Sequence, residues 1–538
     1  MKPINMGAKS HGVATEVTQN SSRRVFGGMS RRSIVLIALA VYFCAHAILR
    51  GFISPSLNFD ESEQSFLSQS MAWGYNSQPP LYTWIQTLFF EILGCNAFAM
   101  AVLKNGFLFL TYWLLFRAIE EVTESAPLAI VGSLGMFTIP QIAWESQRDL
   151  THTVAATCMT CALFYCIVRM AGQKFVKPWV GYLCLGLIVA AGIMFKYNFG
   201  IVVVGFVIAS LTITEYRRLL LNSRMLLSVV TAAAILVPHL FWVLGHSAIA
   251  SRKTVQTLTG DRSEFWLENM WLGSQAFVIS AVACCGLTLV VFTVLYVRKS
   301  TSVPEPSMKT QSARLLIERF LIVVVAILFM LVLSGHAIEF KNRWFQPFVC
   351  LLPAYLVLRF GGHVLARPRM QSLAQVMTVA IMIVLLGAMT ARPLAGQWRG
   401  KYCWLNMPYD QLAIEIENQL ETTPQIVVTP DMRLGGNLRV FLPDATIMSH
   451  DSESSLPEDP AGASGLVVLV TESQSQDERS SFLEHVAMDE SGADLESPWV
   501  RIELPMRYSS DGATAIYHYR VLRATPADRI AERPKASY

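Results

Sequence analysis

Asn58-Phe59-Asp60-Glu61-Ser62-Glu63-Gln64, followed by Trp73-Gly74-Tyr75-Asn76-Ser77-Gln78-Pro79-Pro80-Leu81-Tyr82, is the stretch around which the rest of the chain is organised. It begins a few residues after the first apolar span ends, so three carboxylates, Asp60, Glu61 and Glu63, lie at a membrane surface. Local helix chemistry explains part of this. Asn58 as N-cap with Glu61 three residues on is a capping-box pattern, and acidic side chains suit the positive end of a helix. The break at residues 74–79, with Pro80 suited to open a helix, predicts two short interfacial helices over residues 52–96. Trp73, Tyr75, Tyr82 and Trp84 fit an aromatic belt at headgroup level.

The surrounding composition fixes the class. Of 538 residues, 53% are hydrophobic and only 15% charged, too apolar for a soluble protein and long enough for more than one domain. The formal charge of +4 is too small to suggest a nucleic-acid partner. Apolar spans beginning near Ile34, Phe98, Pro127, Thr151, Trp179, Gly200, Leu226, Phe277, Phe320, Pro347 and Leu373 predict a polytopic α-helical membrane protein of about 11 transmembrane helices. Ala45-His46-Ala47 imitates a signal-peptidase site, but the topology needs the first span to be kept. The connections assigned to the cytoplasm, which include Arg298, Lys299 and Arg367, hold about twenty Lys and Arg against about eight on the other side. This asymmetry and the parity of spans put the N-terminus inside and the C-terminus outside.

Residues 1–32 read as a disordered cytoplasmic tail and residues 33–391 as the transmembrane domain. From residue 392 to 538 the composition changes to a soluble α/β domain, with strand-like runs at 426–428, 466–470, 500–504 and 515–521. Leu434-Gly435-Gly436-Asn437 and residues 457–465 read as turns between them. Cys158, Cys161 and Cys166 share one apolar span and Cys284 and Cys285 another, a pattern of lipid- or core-facing residues and not of metal ligands. Cys95 and Cys403 both face outside in this topology, where a disulfide between them is possible.

Charges at membrane depth are costly and face a cavity or a partner. Arg148 and Asp149, Lys196, and the group Glu339, Lys341 and Arg343 all fall at the outer ends of spans, on the face that holds Asp60. Snorkelling or local ion pairs account for each alone; their convergence on one face points to a site.

Asp60-Glu61 after the first span and Pro79-Pro80-Leu81-Tyr82-Thr83-Trp84 after that pair resemble the first outer loop of the GT-C membrane glycosyltransferases. The similar branch contains protein O-mannosyltransferases and lipid A aminoarabinose and galacturonosyl transferases. Relatives also have an Asp at the place of Asp149, a Lys at that of Lys196, and a basic-aromatic-x-x-Pro motif at that of residues 343–347. Many have Lys before the Pro-Pro pair, where this chain has Gln78. The resemblance implies transfer of a sugar from a polyprenyl-phosphate donor to an acceptor, with membrane lipids as further partners.

That chemistry needs a base for the acceptor proton and cations for the departing phosphate. Asp60 is the candidate base, and Glu61 or Asp149 the group that orients the acceptor. Lys196 and Arg343, with Lys341 and Arg148, are candidates for the donor phosphate, and Gln78, Tyr82 and Glu63 for other substrate contacts. Asp60 and Glu61 could hold Mg2+ or Mn2+, although relatives do not all require a metal. A transporter or flippase of a lipid-linked sugar is the alternative from another class. It calls for broken helices or repeated halves, and both are missing from this sequence, whose spans read as uninterrupted. A protein acceptor also remains open beside lipopolysaccharide, lipid A or another envelope glycolipid. The compact outer domain and the lack of a eukaryotic-style targeting signal favour a glycolipid acceptor and a bacterial inner membrane, with the C-terminal domain periplasmic.

Overall fold

The computed structural model describes residues 30–260, 263–296, 306–365, 368–449, 466–489 and 497–523. All but the end of the expected N-terminal tail, residues Arg298, Lys299 and Arg367, and the expected turn at 457–465 lie outside the described residues. Ser30 caps the first helix by accepting the Ser33 N–H at 3.1 Å, so Arg31 and Arg32 already belong to the span Arg31–Ile53.

Among the described residues eight helices are long and apolar enough to cross a membrane, and ten if each of two bent pairs counts as one span. The first bend, of 77°, separates Ala126–Thr138 from Gln141–Arg148. Ile139 there is extended (φ −94°, ψ 107°), the conformation imposed on a residue preceding proline, here Pro140. The second bend, of 119°, separates Phe199–Leu211 from Thr214–Leu220. Hydropathy does not reveal such breaks, and they correct the expectation of uninterrupted helices. The span expected near Pro347 is also interrupted, as Gln346–Val349 and then Leu352–Leu365. Pro353 has no N–H to offer the Val349 carbonyl, and its ring crowds that oxygen.

Side chains such as Leu115, Phe116, Val154, Phe164, Leu316 and Phe320 form the core of the bundle. Val229, Phe241, Val282 and Val290 point outward, an apolar surface suited to lipid tails. Cys158, Cys161 and Cys166 lie in that core, and all ten cysteines are free. Cys95 sits beside Ser65 and Cys403 beside Asn406, so the possible Cys95 to Cys403 bridge is not formed.

The C-terminal region is a five-stranded sheet in the order β2-β1-β3-β5-β4, with β1 Ile426–Thr429, β2 Thr446–Ser449, β3 Leu466–Thr471, β4 Val500–Pro505 and β5 Thr514–Arg523. β1 pairs parallel with β2 and β3, and β5 antiparallel with β3 and β4. The short β2 lacked a sequence signal. Leu434-Gly435-Gly436-Asn437, expected as a turn, lies inside the helix Met432–Phe441, which Asp431 caps by accepting the Leu434 N–H at 2.8 Å. The glycines serve close packing here and not a turn. A Cβ on Gly436 would lie 1.9 Å from the Ser62 carbonyl oxygen, so only glycine lets this helix approach the first-loop helix Phe59–Leu67.

The first loop thus belongs to the C-terminal core. Phe66, Leu67 and Tyr75 pack with Tyr409, Leu412, Val427 and Leu438. Leu57 N–H donates to Asn437 Oδ1 at 2.7 Å, and Arg439 reaches the Ser65 carbonyl. The expected aromatic belt is corrected accordingly. Tyr75 and Tyr82 are buried, Trp84 donates to the Ala72 carbonyl at 2.9 Å, and of the four only Trp73 is largely exposed.

Candidate active site

The two loop helices form as expected, at Phe59–Leu67 and at Leu81–Leu93 behind Pro80. Glu61 completes the capping box, its carboxylate accepting the Asn58 N–H at 3.1 Å. The same carboxylate meets Arg50 at 2.6 Å and Lys104 at 3.3 Å, and the side chain is 1% exposed. Burial by itself would raise its pKa, but Arg50 and Lys104 outweigh burial and hold it at about 2. Lys104 also donates to the Gln147 carbonyl at 3.1 Å, tying the loop helix to the broken span.

One helical step away, Asp60 faces a different environment. A pocket lined by Asp60, Glu63, Gln78, His152, Lys196, Lys341 and Arg343 opens beside it, and Glu61 is not part of its lining. Arg343 Nη1 lies 3.5 Å from Asp60 Oδ1. Arg343 stands on the Asn342–Trp344 turn, whose Trp344 carbonyl accepts from Asn198 at 3.3 Å. This bond joins that turn to the one carrying Lys196, between the helices Pro178–Phe195 and Phe199–Leu211. Lys196 is buried and donates to Thr153 Oγ1 at 2.5 Å. Burial, then the nearby Arg343, pull its pKa down to about 7 against Asp60 and Glu63.

Asp149 lies behind Asp60, and its Oδ1 accepts the Asp60 backbone N–H at 3.1 Å. Burial and then the Asp60 carboxylate push its pKa up to about 7. Glu63 accepts from Asn76 Nδ2 at 2.8 Å, and Lys341 donates to Thr257 Oγ1 at 3.3 Å. Gln78 is anchored through its own N–H to Asn76 Oδ1 at 2.9 Å.

Besides Glu61 and Asp149, two more of the expected residues stand outside the pocket lining. Tyr82 is fully buried, packed on Phe107 and His152, and is absent from the pocket lining. Arg148 pairs with Glu145 at 2.6 Å and lines a separate cavity. Nor do Asp60 and Glu61 form a divalent-ion pair: two cations already occupy the Glu61 carboxylate. Among the described residues no three His, Cys, Asp or Glu side chains could jointly hold a metal ion.

Sequence reasoning missed His152 and Lys104. His152 Nδ1 lies 3.1 Å from the Phe195 carbonyl, which can only accept, so Nδ1 carries the proton. Nε2 then accepts from the Gln64 amide at 3.0 Å, and Gln64 Oε1 accepts from Thr83 at 2.9 Å. This chain fastens the loop to two spans. The available signal was a lone polar or charged residue within or at the end of an apolar run, which also describes Lys104.

Ser77, Gln78, Lys196 and Trp344 continue from the polar pocket into an apolar groove lined by residues such as Leu328, Leu331, Phe340 and Phe348. A polar end with cations joined to an apolar channel suits a lipid with a phosphate head.

Residues 77–242 match the dolichyl-phosphate-mannose-protein mannosyltransferase family. The lipopolysaccharide core galacturonosyltransferase RgtB of Rhizobium johnstonii is 32% identical over 432 residues, covering 80% of this chain and 86% of that protein. RgtA of the same organism, described in the same words, is 31% identical over 81% of this chain and 85% of its own length. Among solved structures, that of ArnT from Cupriavidus metallidurans bound to undecaprenyl phosphate superposes with a TM-score of 0.57 at 14% identity, covering 91% of this chain and 98% of ArnT. The fold is therefore shared with ArnT, and the sequence places the chain more narrowly: it belongs to the family of the lipopolysaccharide core galacturonosyltransferases.

Proposed function

We propose that the protein transfers a galacturonosyl residue from a polyprenyl-phosphate donor to the core or lipid A part of lipopolysaccharide, at the periplasmic face of a bacterial inner membrane. The observation that carries this reading is the meeting of Asp60, Lys196 and Arg343 in one pocket that opens into an apolar groove. The relatives' names support the sugar and the acceptor, and undecaprenyl phosphate in ArnT supports the lipid.

An acceptor hydroxyl attacks the anomeric carbon of the donor as the bond from that carbon to the phosphate oxygen breaks. The hydroxyl proton passes to Asp60, and polyprenyl phosphate leaves with its phosphate carrying one more negative charge than the phosphodiester of the donor did. Lys196 and Arg343 meet that charge, Lys196 as a buried point charge and Arg343 as a fork of two donors. Arg343 also balances Asp60 in the resting site. Glu61 acts through Arg50 and Lys104, holding the helix that presents Asp60. The groove takes the first isoprene units.

The packing of the C-terminal sheet on the loop after the first span supports an odd number of crossings. Ten spans plus the interrupted segment 346–365 give eleven, with the C-terminus on the side opposite the N-terminus.

The test uses purified protein in nanodiscs, undecaprenyl-phosphate galacturonate and lipopolysaccharide. Mass spectrometry should find an added hexuronic acid on the glycolipid and free undecaprenyl phosphate. Transfer only from a mannose or aminoarabinose donor would count against the sugar, and transfer only to protein against the acceptor.

A further inference from the structure

A cavity of about 830 Å³ lies between one end of the helix Pro368–Leu394 and the C-terminal region. Arg148, Arg392, Arg399 and Lys401 line it, with no carboxylate in the lining among the described residues. Glu145 offsets Arg148 at 2.6 Å, and Arg392, Arg399 and Lys401 have no ion-pair partner among the described residues. Cations concentrated without counter-charge in one concavity repel each other, and an anionic ligand relieves that cost. They also stand on the side of the membrane that is otherwise poor in Lys and Arg next to its helices, so the positive-inside bias does not explain them.

The walls are built for a bulky headgroup. Ala388 and Ala391, near the end of the helix, and Ala395, just past it, keep that wall low. Trp404 forms part of another wall and is held from behind by Arg433, whose guanidinium lies 3.8 Å from the ring centroid and pairs with Glu472 at 2.6 Å. The cavity is distinct from the polar pocket, with which it shares no lining residue, and the chain links it to the reaction centre through one residue. Arg148 immediately precedes Asp149, the carboxylate that accepts the Asp60 N–H. Asp60 lines the space suited to a lipid phosphate with an apolar tail, and Arg148, next in the chain to Asp149, lines the one suited to a large anion.

We propose that this cavity binds the anionic headgroup of the glycolipid acceptor, an assignment that rests on the transferase reading above, with Arg392, Arg399 and Lys401 meeting its phosphate or carboxylate groups. The donor then occupies the polar pocket and groove and the acceptor headgroup this second cavity, and charge on the acceptor, away from the hydroxyl that reacts, selects it. An ordinary anionic phospholipid offers the same chemistry with a single phosphate and is the competing source.

The test measures binding of four lipids to the full-length protein in neutral detergent: bisphosphorylated lipid A, the same lipid with both phosphates removed, phosphatidylglycerol, and undecaprenyl phosphate. Wild-type protein should prefer bisphosphorylated lipid A by roughly ten-fold or more over the dephosphorylated form and over phosphatidylglycerol, since several charged contacts act together. The combined Arg392→Gln, Arg399→Gln and Lys401→Gln variant should lose that preference and keep its affinity for undecaprenyl phosphate, which also reports folding. If the triple variant loses both, the exposed Lys401→Gln alone decides, with an expected weakening towards bisphosphorylated lipid A of roughly two- to three-fold. Wild-type preference in a variant that still binds undecaprenyl phosphate, or equal binding of phosphatidylglycerol, overturns the proposal. Failure of the wild type to bind undecaprenyl phosphate overturns the transferase reading instead.

Discussion

Asp149 accepts the backbone N–H of Asp60 at 3.1 Å, so one carboxylate fixes the main chain that carries another. The consequence is a division of labour among three neighbouring acids. Asp149 sets the position of Asp60, Glu61 anchors its helix to Arg50 and Lys104, and Asp60 alone lines the pocket.

Substitutions should separate these roles. Asp60→Asn removes the proposed base while keeping size, and turnover should fall roughly 100-fold or more with binding of undecaprenyl phosphate retained. Glu61→Gln leaves two cations without their counter-charge and should cost roughly 3–5 kcal/mol of stability. Thermal unfolding and turnover of the folded fraction, measured on both variants, check this. Near-normal turnover in folded Asp60→Asn would remove Asp60 from the base role.

The raised pKa of Asp149 has a definite sign. A proton is held more tightly in the folded protein than in the unfolded chain, whose value is 3.8. The stability contributed is therefore complete below that value and is lost as pH rises through about 7. Asp149→Asn should accordingly gain stability relative to wild type between about pH 5 and pH 8. Unfolding temperatures in detergent across that range give the answer, and parallel curves for the two proteins would contradict it.

Lys196 runs the other way. Its folded pKa is lowered from 10.5 to about 7, so the stability linked to it is present above the unfolded value and is lost as pH falls through the folded one. An arriving phosphate should restore the charge, so donor-lipid binding at about pH 8 should take up about one proton. Calorimetry in buffers of different ionisation enthalpy measures the uptake, which Lys196→Ala should abolish.

Arg343→Ala should weaken donor binding more than Lys196→Ala does, because a two-donor contact is lost, while Lys196→Ala should cost more turnover. Gln78 shares the pocket with Lys196, so Gln78→Lys should partly rescue Lys196→Ala. Donor titrations of the three variants test the assignment; unchanged affinity and turnover in both alanine variants would put the phosphate elsewhere.

Gly436→Ala tests whether the C-terminal region positions the site. The added methyl meets the Ser62 backbone, so it should cost roughly 1–3 kcal/mol and lower turnover together with stability. Gly106→Ala, in open space on the helix Ala97–Thr123, should instead stabilise by roughly 0.8–1 kcal/mol. Equal effects of the two would mean that the close helix approach carries no weight.

What the sequence determined by itself was local or one-dimensional. Apolar runs longer than a bilayer is thick could only be spans, Asn58 with Glu61 could cap a helix, and Pro80 could open one, because these depend on neighbours along the chain. The family resemblance, in the first loop for Asp60 and at the ends of later spans for Lys196 and Arg343, likewise pointed to these residues before any fold was known. Only the tertiary structure decided which acid faces the pocket. Asp60 and Glu61 are adjacent and chemically alike, and it is Arg50 and Lys104, on two different spans, that claim Glu61. The same holds for Tyr82, drawn into packing against His152, for Arg148, paired with Glu145 and lining a separate cavity, and for Gly436, whose hydrogen side chain matters because Ser62 lies against it. Apart from the Arg148 pair, each of these contacts joins residues far apart in the chain, and a linear pattern has no term for such a contact.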